Sequence, residues 1–138
     1  MAFTKLTVET LVSAAPQKVW DCFTQPEHIV NWNFASDDWH CPKASNDLKV
    51  GGKFSSTMAS KDGKMSFDFE GAYSEVVPLK RIAYGMADGR TVQIDFIVEG
   101  KNTRVIETFD AENQNPLDMQ KGGWQAILDN FKKHTEGK

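Results

Sequence analysis

Two glutamates lie in strand-like segments on the same face as apolar side chains, where a carboxyl group could transfer a proton. Glu107 has the strand parity of Val105 and Phe109, and Glu75 has the parity of Tyr73. A carboxylate that faces inward has a raised pKa unless it is paired, because burial disfavours its charged form. Such a group can orient a ligand or act as a general base.

One histidine joins the acid–base candidates, and each candidate also has a plainer interpretation. His40 follows an acidic stretch and could carry protons at a cavity mouth, or it could be a solvated loop histidine. The glutamates could instead lie at a rim, paired to Arg81 or Arg104, or reach solvent at a strand end. No catalytic residue is therefore predicted outright. If the protein is an enzyme, Glu107, His40 and Glu75 are the expected catalytic groups.

The thiol and imidazole groups do not form a metal-binding pattern along the sequence. His40 and Cys41 are adjacent, but His28 and His134 lie far away, and no CxxC or HxxxH spacing occurs. Cys22 lies beside the apolar face of a helix and is expected to be a small buried hydrophobe. We therefore predict no metal site, no cofactor and no disulfide framework.

Hydrophobic periodicity predicts the elements that position these groups. A strand is predicted over 5–12, an amphipathic helix and a second helical turn over 15–32, and a loop over 33–46. Further strands are predicted over 53–60, 64–77, 81–86, 90–99 and 103–109. A last helix, capped by Asn115, begins at Pro116 and runs to about residue 134. This order predicts an α+β fold in which a curved antiparallel sheet of about six or seven strands wraps a long C-terminal helix.

Composition narrows the class of protein. The 138 residues, 40% hydrophobic and 25% charged, are expected to form one soluble domain over 1–138. The net charge of −3 argues against nucleic acid as a partner, because phosphate neutralisation dominates that affinity. No apolar run is long enough to span a membrane, and no signal peptide is recognisable, so a cytoplasmic location is expected. The sequence leaves open whether the protein is a monomer or a homodimer.

Short motifs follow one another along the chain in an order that a known family shares. They are Ala15-Pro16, Val19-Trp20, Phe23-Thr24, Pro26-Glu27, Trp32, Asp47-Leu48, Gly51-Gly52-Lys53-Phe54, Phe69, Gly71, Tyr73, Glu75-Val76, Pro78, Arg81-Ile82, Gly123-Trp124, Ile127-Leu128 and Phe131. Through them the chain resembles the homologues of the activator of the ninety-kilodalton heat-shock chaperone's ATPase, within the START-like (SRPBCC) superfamily. The resemblance covers nearly the whole chain and implies the helix-grip fold of that superfamily.

The resemblance also implies a cavity between the sheet and the C-terminal helix, where the superfamily commonly binds hydrophobic small molecules. The residues expected to line it or overhang its mouth are Trp32, Phe34, Trp39, His40, Met58, Phe67, Phe69, Tyr73, Tyr84, Met86, Phe96, Glu107, Trp124 and Ile127. The alternative is that these side chains simply fill the core. Gly122-Gly123 costs about 1 kcal/mol per glycine within a helix, which a close approach of helix to sheet would explain.

Three functions are compatible with these observations. The first is a non-enzymatic binding protein that holds a small hydrophobic or aromatic molecule between the sheet and Trp124. The second is a cyclase- or hydrolase-type enzyme that uses an inward-facing carboxylate such as Glu107. The third, implied by the family resemblance, is a co-chaperone or stress-response module that docks on a chaperone and changes its ATPase rate.

Overall fold

Seven strands form one antiparallel sheet. The computed structural model describes residues 3–137. Its strands are β1 (Lys5–Val12), β2 (Trp39–Asn46), β3 (Lys53–Ser60), β4 (Ser66–Val77), β5 (Arg81–Gly85), β6 (Thr91–Glu99) and β7 (Asn102–Asp110). The helices are α1 (Pro16–Thr24), α2 (Pro26–Ile29) and α3 (Leu117–Glu136). The strands lie in the order β1-β7-β6-β5-β4-β3-β2, and the sheet curls around α3, which confirms the predicted α+β helix-grip fold.

The N-terminal strand completes the sheet beside the last strand of the chain. In β1 the side chains of Val8 and Val12 are buried, as the alternation predicts, and Val8 faces Glu107 of β7 across the ladder. The long helix covers this part of the sheet, where the Trp124 ring stacks on Phe109 with centroids 4.1 Å apart and an interplanar angle of 8°. The core therefore lies between α3 and the concave face.

Helices α1 and α2 close one end of the molecule. Pro16 occupies a first-turn position of α1, where its missing N–H costs no hydrogen bond. The helix ends at Thr24 because Pro26 disfavours helical backbone at the residue before it. The ring of Phe23 lies 5.2 Å from Phe131 of α3 and 5.3 Å from Trp32, centroid to centroid. This aromatic contact ties the two short helices to the long one.

The prediction of a loop over 33–46 is wrong for its second half. Residues 39–46 form β2, an edge strand that pairs with β3, and its register shifts between His40 and Lys43. The strand carries Pro42 and several polar side chains, so it shows none of the apolar alternation that identifies a strand. An edge position tolerates these residues because one side of the strand needs no ladder partner.

A bulge in β4 reverses the parity of its last residues. Tyr73 pairs with Tyr84 of β5, but the next paired residue is Glu75, opposite Ala83. Ser74 is therefore an additional residue, and Glu75 leaves the face that Tyr73 occupies. The Glu75 carboxylate lies 3.8 Å from the Arg81 guanidinium, half exposed. The rim interpretation of Glu75 thus describes the structure, and the inward one does not.

The beginning of α3 and its paired glycines differ from expectation. Pro116 takes the N-cap position, whereas Asn115 donates its side-chain N–H to the Glu112 carboxylate. A Cβ atom added to Gly122 or to Gly123 would have no neighbour within 4 Å. A close approach to the sheet is therefore not the reason for these glycines. None of the helices within residues 3–137 is long and apolar enough to cross a membrane.

Candidate functional site

A cavity of about 470 Å³ lies between the concave face of the sheet and α3. Strands β3, β4 and β5 supply one wall, α3 the opposite wall, and the helices α1 and α2 one end. Two lining side chains, Phe67 and Met119, are 51% and 64% exposed, so the cavity opens to solvent between β4 and the start of α3. Its size and apolar lining are typical of sites for small organic molecules.

Aromatic rings on three neighbouring strands form the wall opposite α3. The centroid of Phe54 lies 4.6 Å from that of Tyr84, 5.4 Å from Tyr73 and 5.9 Å from Phe69. On the other side of the cavity, Trp124 of α3 lies 6.1 Å from Phe69. Most of these pairs are edge-to-face or tilted, which is the arrangement that ring quadrupoles favour. A planar apolar molecule would meet ring edges and faces on several sides.

Glu107 places a carboxyl group against this apolar wall. It is 7% exposed, lies on the buried face of β7 between Val8 and Ile94, and lines the cavity. No hydrogen bond from residues 3–137 reaches its carboxylate, and burial alone raises the pKa of Glu107 to about 8. Near neutral pH the group is therefore mostly a neutral acid, which can both donate and accept a hydrogen bond.

Tyr84 lies in the same buried region and responds to the same environment. Burial first, and then the Glu107 carboxylate and Tyr73, raise the pKa of Tyr84 well above its ordinary value. The phenol therefore stays protonated through the physiological range. Arg90 also lines the cavity, but its Nε donates to Asp88 at 2.6 Å, so the charge is paired. The deep part of the site is accordingly neutral.

A second polar group closes the end of the cavity near α1. The hydroxyl of Tyr73 donates to Oδ1 of Asn46 at 2.5 Å, and Nδ2 of Asn46 donates to the carbonyl of Thr24 at 2.6 Å. The two bonds connect β4, β2 and the end of α1. Burial raises the pKa of Tyr73 to about 12, although the contact with Asn46 lowers it in part. These polar groups satisfy one another, in contrast to Glu107.

A family model described as "Activator of Hsp90 ATPase homolog 1-like protein" matches residues 13–136. The chain belongs to this AHSA1-like family. An AHSA1-like protein from Aeromonas hydrophila, solved in solution, is 42% identical with a TM-score of 0.91, over 97% of this chain and 93% of that one.

A protein from Cytophaga hutchinsonii, also solved in solution, is 51% identical with a TM-score of 0.84, over 96% of this chain and 92% of that one. One from Nitrosomonas europaea shares the fold at 20% identity and a TM-score of 0.83, over 96% and 94% of the two chains. A search of curated protein sequences found no match.

In this AHSA1-like domain most of the residues expected at the cavity do line it. They are Trp32, Met58, Phe67, Phe69, Tyr73, Tyr84, Glu107, Trp124 and Ile127. Regular alternation along the strands turns Met58 of β3, Tyr84 of β5 and Glu107 of β7 toward the cavity. The helical period places Trp124 and Ile127 on one face of α3.

Other expected residues lie elsewhere. Phe96 is buried on the α1 side of the sheet, with its centroid 5.3 Å from Trp20, so it fills the core. Trp39 packs on Phe67 at 5.9 Å without lining the cavity. Met86 follows the end of β5 and is partly buried against the core.

Phe34 and His40, which were expected to overhang the cavity mouth, also lie outside its lining. The carbonyl of Phe34 accepts a hydrogen bond from Nδ2 of Asn130 at 2.7 Å, which ties this segment to α3. His40 is exposed on the edge strand β2 and does not line the cavity. Since Glu75 also points away, Glu107 has neither of the expected acid–base partners beside it.

Several lining residues were not foreseen from the sequence. Phe54 and Ser56 alternate with Met58 on β3, so parity alone could have identified them. Asn46 ends β2, whose sequence lacks the apolar alternation of a strand, so parity does not identify it as a lining residue. The helical face that carries Trp124 also presents Met119, Gln120 and Gly123, at the spacing of one helix face. Gly123 leaves open space where a side chain would otherwise intrude.

Proposed function

We propose that this AHSA1-like protein binds a small, mainly apolar or aromatic molecule in the cavity between the sheet and α3. The observation that carries the proposal is Glu107, a buried carboxyl group that faces an aromatic cavity without a partner among residues 3–137. The Glu107 carboxyl group faces the cavity, so a ligand that hydrogen-bonds to it would add this polar contact to the burial of its apolar surface.

The walls limit what the ligand can be. Its body would be flat and apolar, to lie against the contacting rings of Phe69, Tyr84 and Trp124 that line the cavity. Its polar group would be neutral or a weak base, such as a hydroxyl, carbonyl or amine, because the deep part of the site is apolar and offers an anion no unpaired cation: the Arg90 guanidinium is already paired with Asp88. A free carboxylate or phosphate ester is therefore disfavoured.

The decisive experiment has two parts. Native mass spectrometry of the purified protein, followed by denaturing extraction, would show whether a stoichiometric small molecule accompanies the chain. N-phenyl-1-naphthylamine, a neutral aromatic probe with one N–H donor, would then be titrated into protein freed of that molecule. We expect saturable fluorescence enhancement in the wild type and its loss in Gly123→Leu. Equal binding by both proteins, or no binding by either, would overturn the proposal.

A second candidate function is proton transfer to a bound substrate by Glu107. A carboxyl group with a pKa of about 8 is suited to act as a general base or acid near neutral pH. This candidate requires Glu107→Gln to abolish turnover of a cyclisation or hydrolysis substrate while binding persists. Retained turnover in that variant would exclude it.

A third candidate follows from the family, whose description names an activator of the Hsp90 ATPase. We propose this co-chaperone or stress-response role, in the cytoplasm, as the alternative to ligand binding. Its test is the steady-state ATPase rate of purified Hsp90 with and without the protein. A rate unchanged over a hundredfold range of added protein would reject it.

A further inference from the structure

Three side chains with metal-ligating atoms meet where the three helices come together. Cys22 lies on α1, His28 on α2 and His134 in the last turn of α3. Nδ1 of His28 lies 2.9 Å from Nε2 of His134. One ring nitrogen of each histidine and Sγ of Cys22 all lie within 4.8 Å of one another. The sequence spacing concealed this cluster, because 106 residues separate the two histidines.

We propose that Cys22, His28 and His134 form a binding site for Zn²⁺. Thiolate and imidazole are the ligands that zinc prefers in proteins, with bond lengths of about 2.3 Å to sulphur and 2.0–2.1 Å to nitrogen. Tetrahedral angles at these lengths place two nitrogens about 3.3 Å apart and each about 3.6 Å from the sulphur. To reach this geometry the two nitrogens, now 2.9 Å apart, would separate slightly, and the sulphur, within 4.8 Å of them, would approach by up to about 1 Å.

The three side chains of the cluster are buried to different extents, which leaves a metal ion access from one side. Cys22 is 2% exposed, whereas both histidines are partly exposed. An ion would therefore enter past the imidazoles and meet the thiol last. Zn²⁺ would take the place of the thiol proton, which passes to solvent, and the two imidazoles would bind through neutral nitrogens. Three protein ligands leave a fourth position for water or for an exogenous thiol.

The plainer alternative is a hydrogen bond between two imidazoles. With rings at 67° and centroids 5.1 Å apart, one nitrogen can donate its proton to the other. This interaction uses neither the sulphur of Cys22 nor a metal. The two interpretations therefore differ in whether the thiol takes part.

The site would join parts of the molecule that enclose the cavity, although none of its three residues lines it. Phe23 and Ile29, which do line the cavity, each follow one of the ligands directly. The ion would fix the last turn of α3 against α1 and α2.

Cobalt substitution distinguishes the alternatives, because Co²⁺ bound to a thiolate gives a sulphur-to-metal charge-transfer band in the near ultraviolet. We expect wild-type protein to show this band at one equivalent of Co²⁺ and to lose it when Zn²⁺ is added. Cys22→Ser should abolish the band, and His28→Gln should weaken binding of both metals by about 100-fold or more, beyond what loss of an outer-shell contact costs.

Matched controls exist in the same chain. Cys41→Ser and His40→Gln remove the other free cysteine and the other described histidine, and neither should change the band or the affinity. Circular dichroism establishes that each variant folds, and if Cys22→Ser does not fold, the partly exposed His28 decides the outcome. A band that survives His28→Gln or disappears in Cys41→Ser, or no band in the wild type, would overturn the proposal.

Discussion

The ring of Phe54 on β3 lies directly across the backbone of Gly71, its cross-strand partner on β4. A Cβ atom on Gly71 would lie 2.8 Å from Cε2 and 2.9 Å from Cζ of this ring. The absence of a side chain at Gly71 therefore sets the position of the ring that contacts Tyr73 and Tyr84 in the cavity wall.

Substitution of Gly71 by alanine should displace Phe54. We expect Gly71→Ala to lower the free energy of unfolding by about 1–3 kcal/mol, because overpacking forces the ring or the strand to move. Urea unfolding measures the loss, and the near-ultraviolet circular dichroism of the aromatic wall should change with it. Gly85→Ala is the matched control, since the nearest atom to its Cβ, the carbonyl oxygen of Arg90, is 3.9 Å away. Equal losses in the two variants would contradict this explanation.

The paired glycines of α3 permit a test that separates helix stability from cavity volume. Gly122→Ala and Gly123→Ala should each raise the free energy of unfolding by up to about 1 kcal/mol, because alanine is the better helix former and both positions have space. Leucine should distinguish the two sites. Gly123→Leu fills the cavity and should abolish binding of N-phenyl-1-naphthylamine, whereas Gly122→Leu, at an exposed position outside the lining, should leave binding intact. Loss of binding in both would show that the effect is not one of volume.

Glu107 should make the protein less stable as the pH rises. Its pKa is about 8 in the folded protein and close to the ordinary 4.5 in the unfolded chain. Between these values the folded state binds more protons, so the free energy of unfolding falls with pH and levels off above about pH 8. The fall should amount to at most about 5 kcal/mol, the value that corresponds to the difference between the two pKa values.

Glu107→Gln should remove this pH dependence, because the amide is neutral throughout and nearly the same shape. Urea unfolding at pH 5, 7 and 9 measures both proteins, and the variant should be the more stable one at pH 9. Parallel pH profiles for wild type and variant would show that Glu107 is not the group responsible.

The bond between Tyr73 and Asn46 should stabilise the closed end of the cavity. Tyr73→Phe leaves Oδ1 of Asn46 without its donor and should cost about 1–2 kcal/mol. Asn46→Ala should cost at least as much, because the carbonyl of Thr24 also loses a donor. A double-mutant cycle isolates the bond between the two side chains. A coupling free energy near zero would show that the Tyr73 hydroxyl and the Asn46 amide act independently.

Regular segments could be predicted from the sequence, and irregular ones could not. The position of Glu107 follows from unbroken parity along β7, and that of Trp124 from helical period. The same parity gives the wrong face for Glu75, because one bulge residue in β4 reverses the alternation and nothing in the local sequence marks the bulge. β2 was missed because an edge strand with a proline lacks the alternation by which strands are recognised. The cluster at His28 depends on tertiary packing alone, since its members come from separate helices.

The pairing of β1 with β7 has a consequence for how the chain acquires its structure. Lys5 and Asp110 are partners in this ladder and form an ion pair at 2.7 Å, although 105 residues separate them. β1 leaves the ribosome before β7, so it cannot form this ladder until β7 has been synthesised. Until then the apolar side of β1, with Val8 and Val12, has neither its strand partner nor the cover of α3. Contacts of such sequence separation slow folding, so the nascent chain should pass through a long interval in which this strand is open to other proteins.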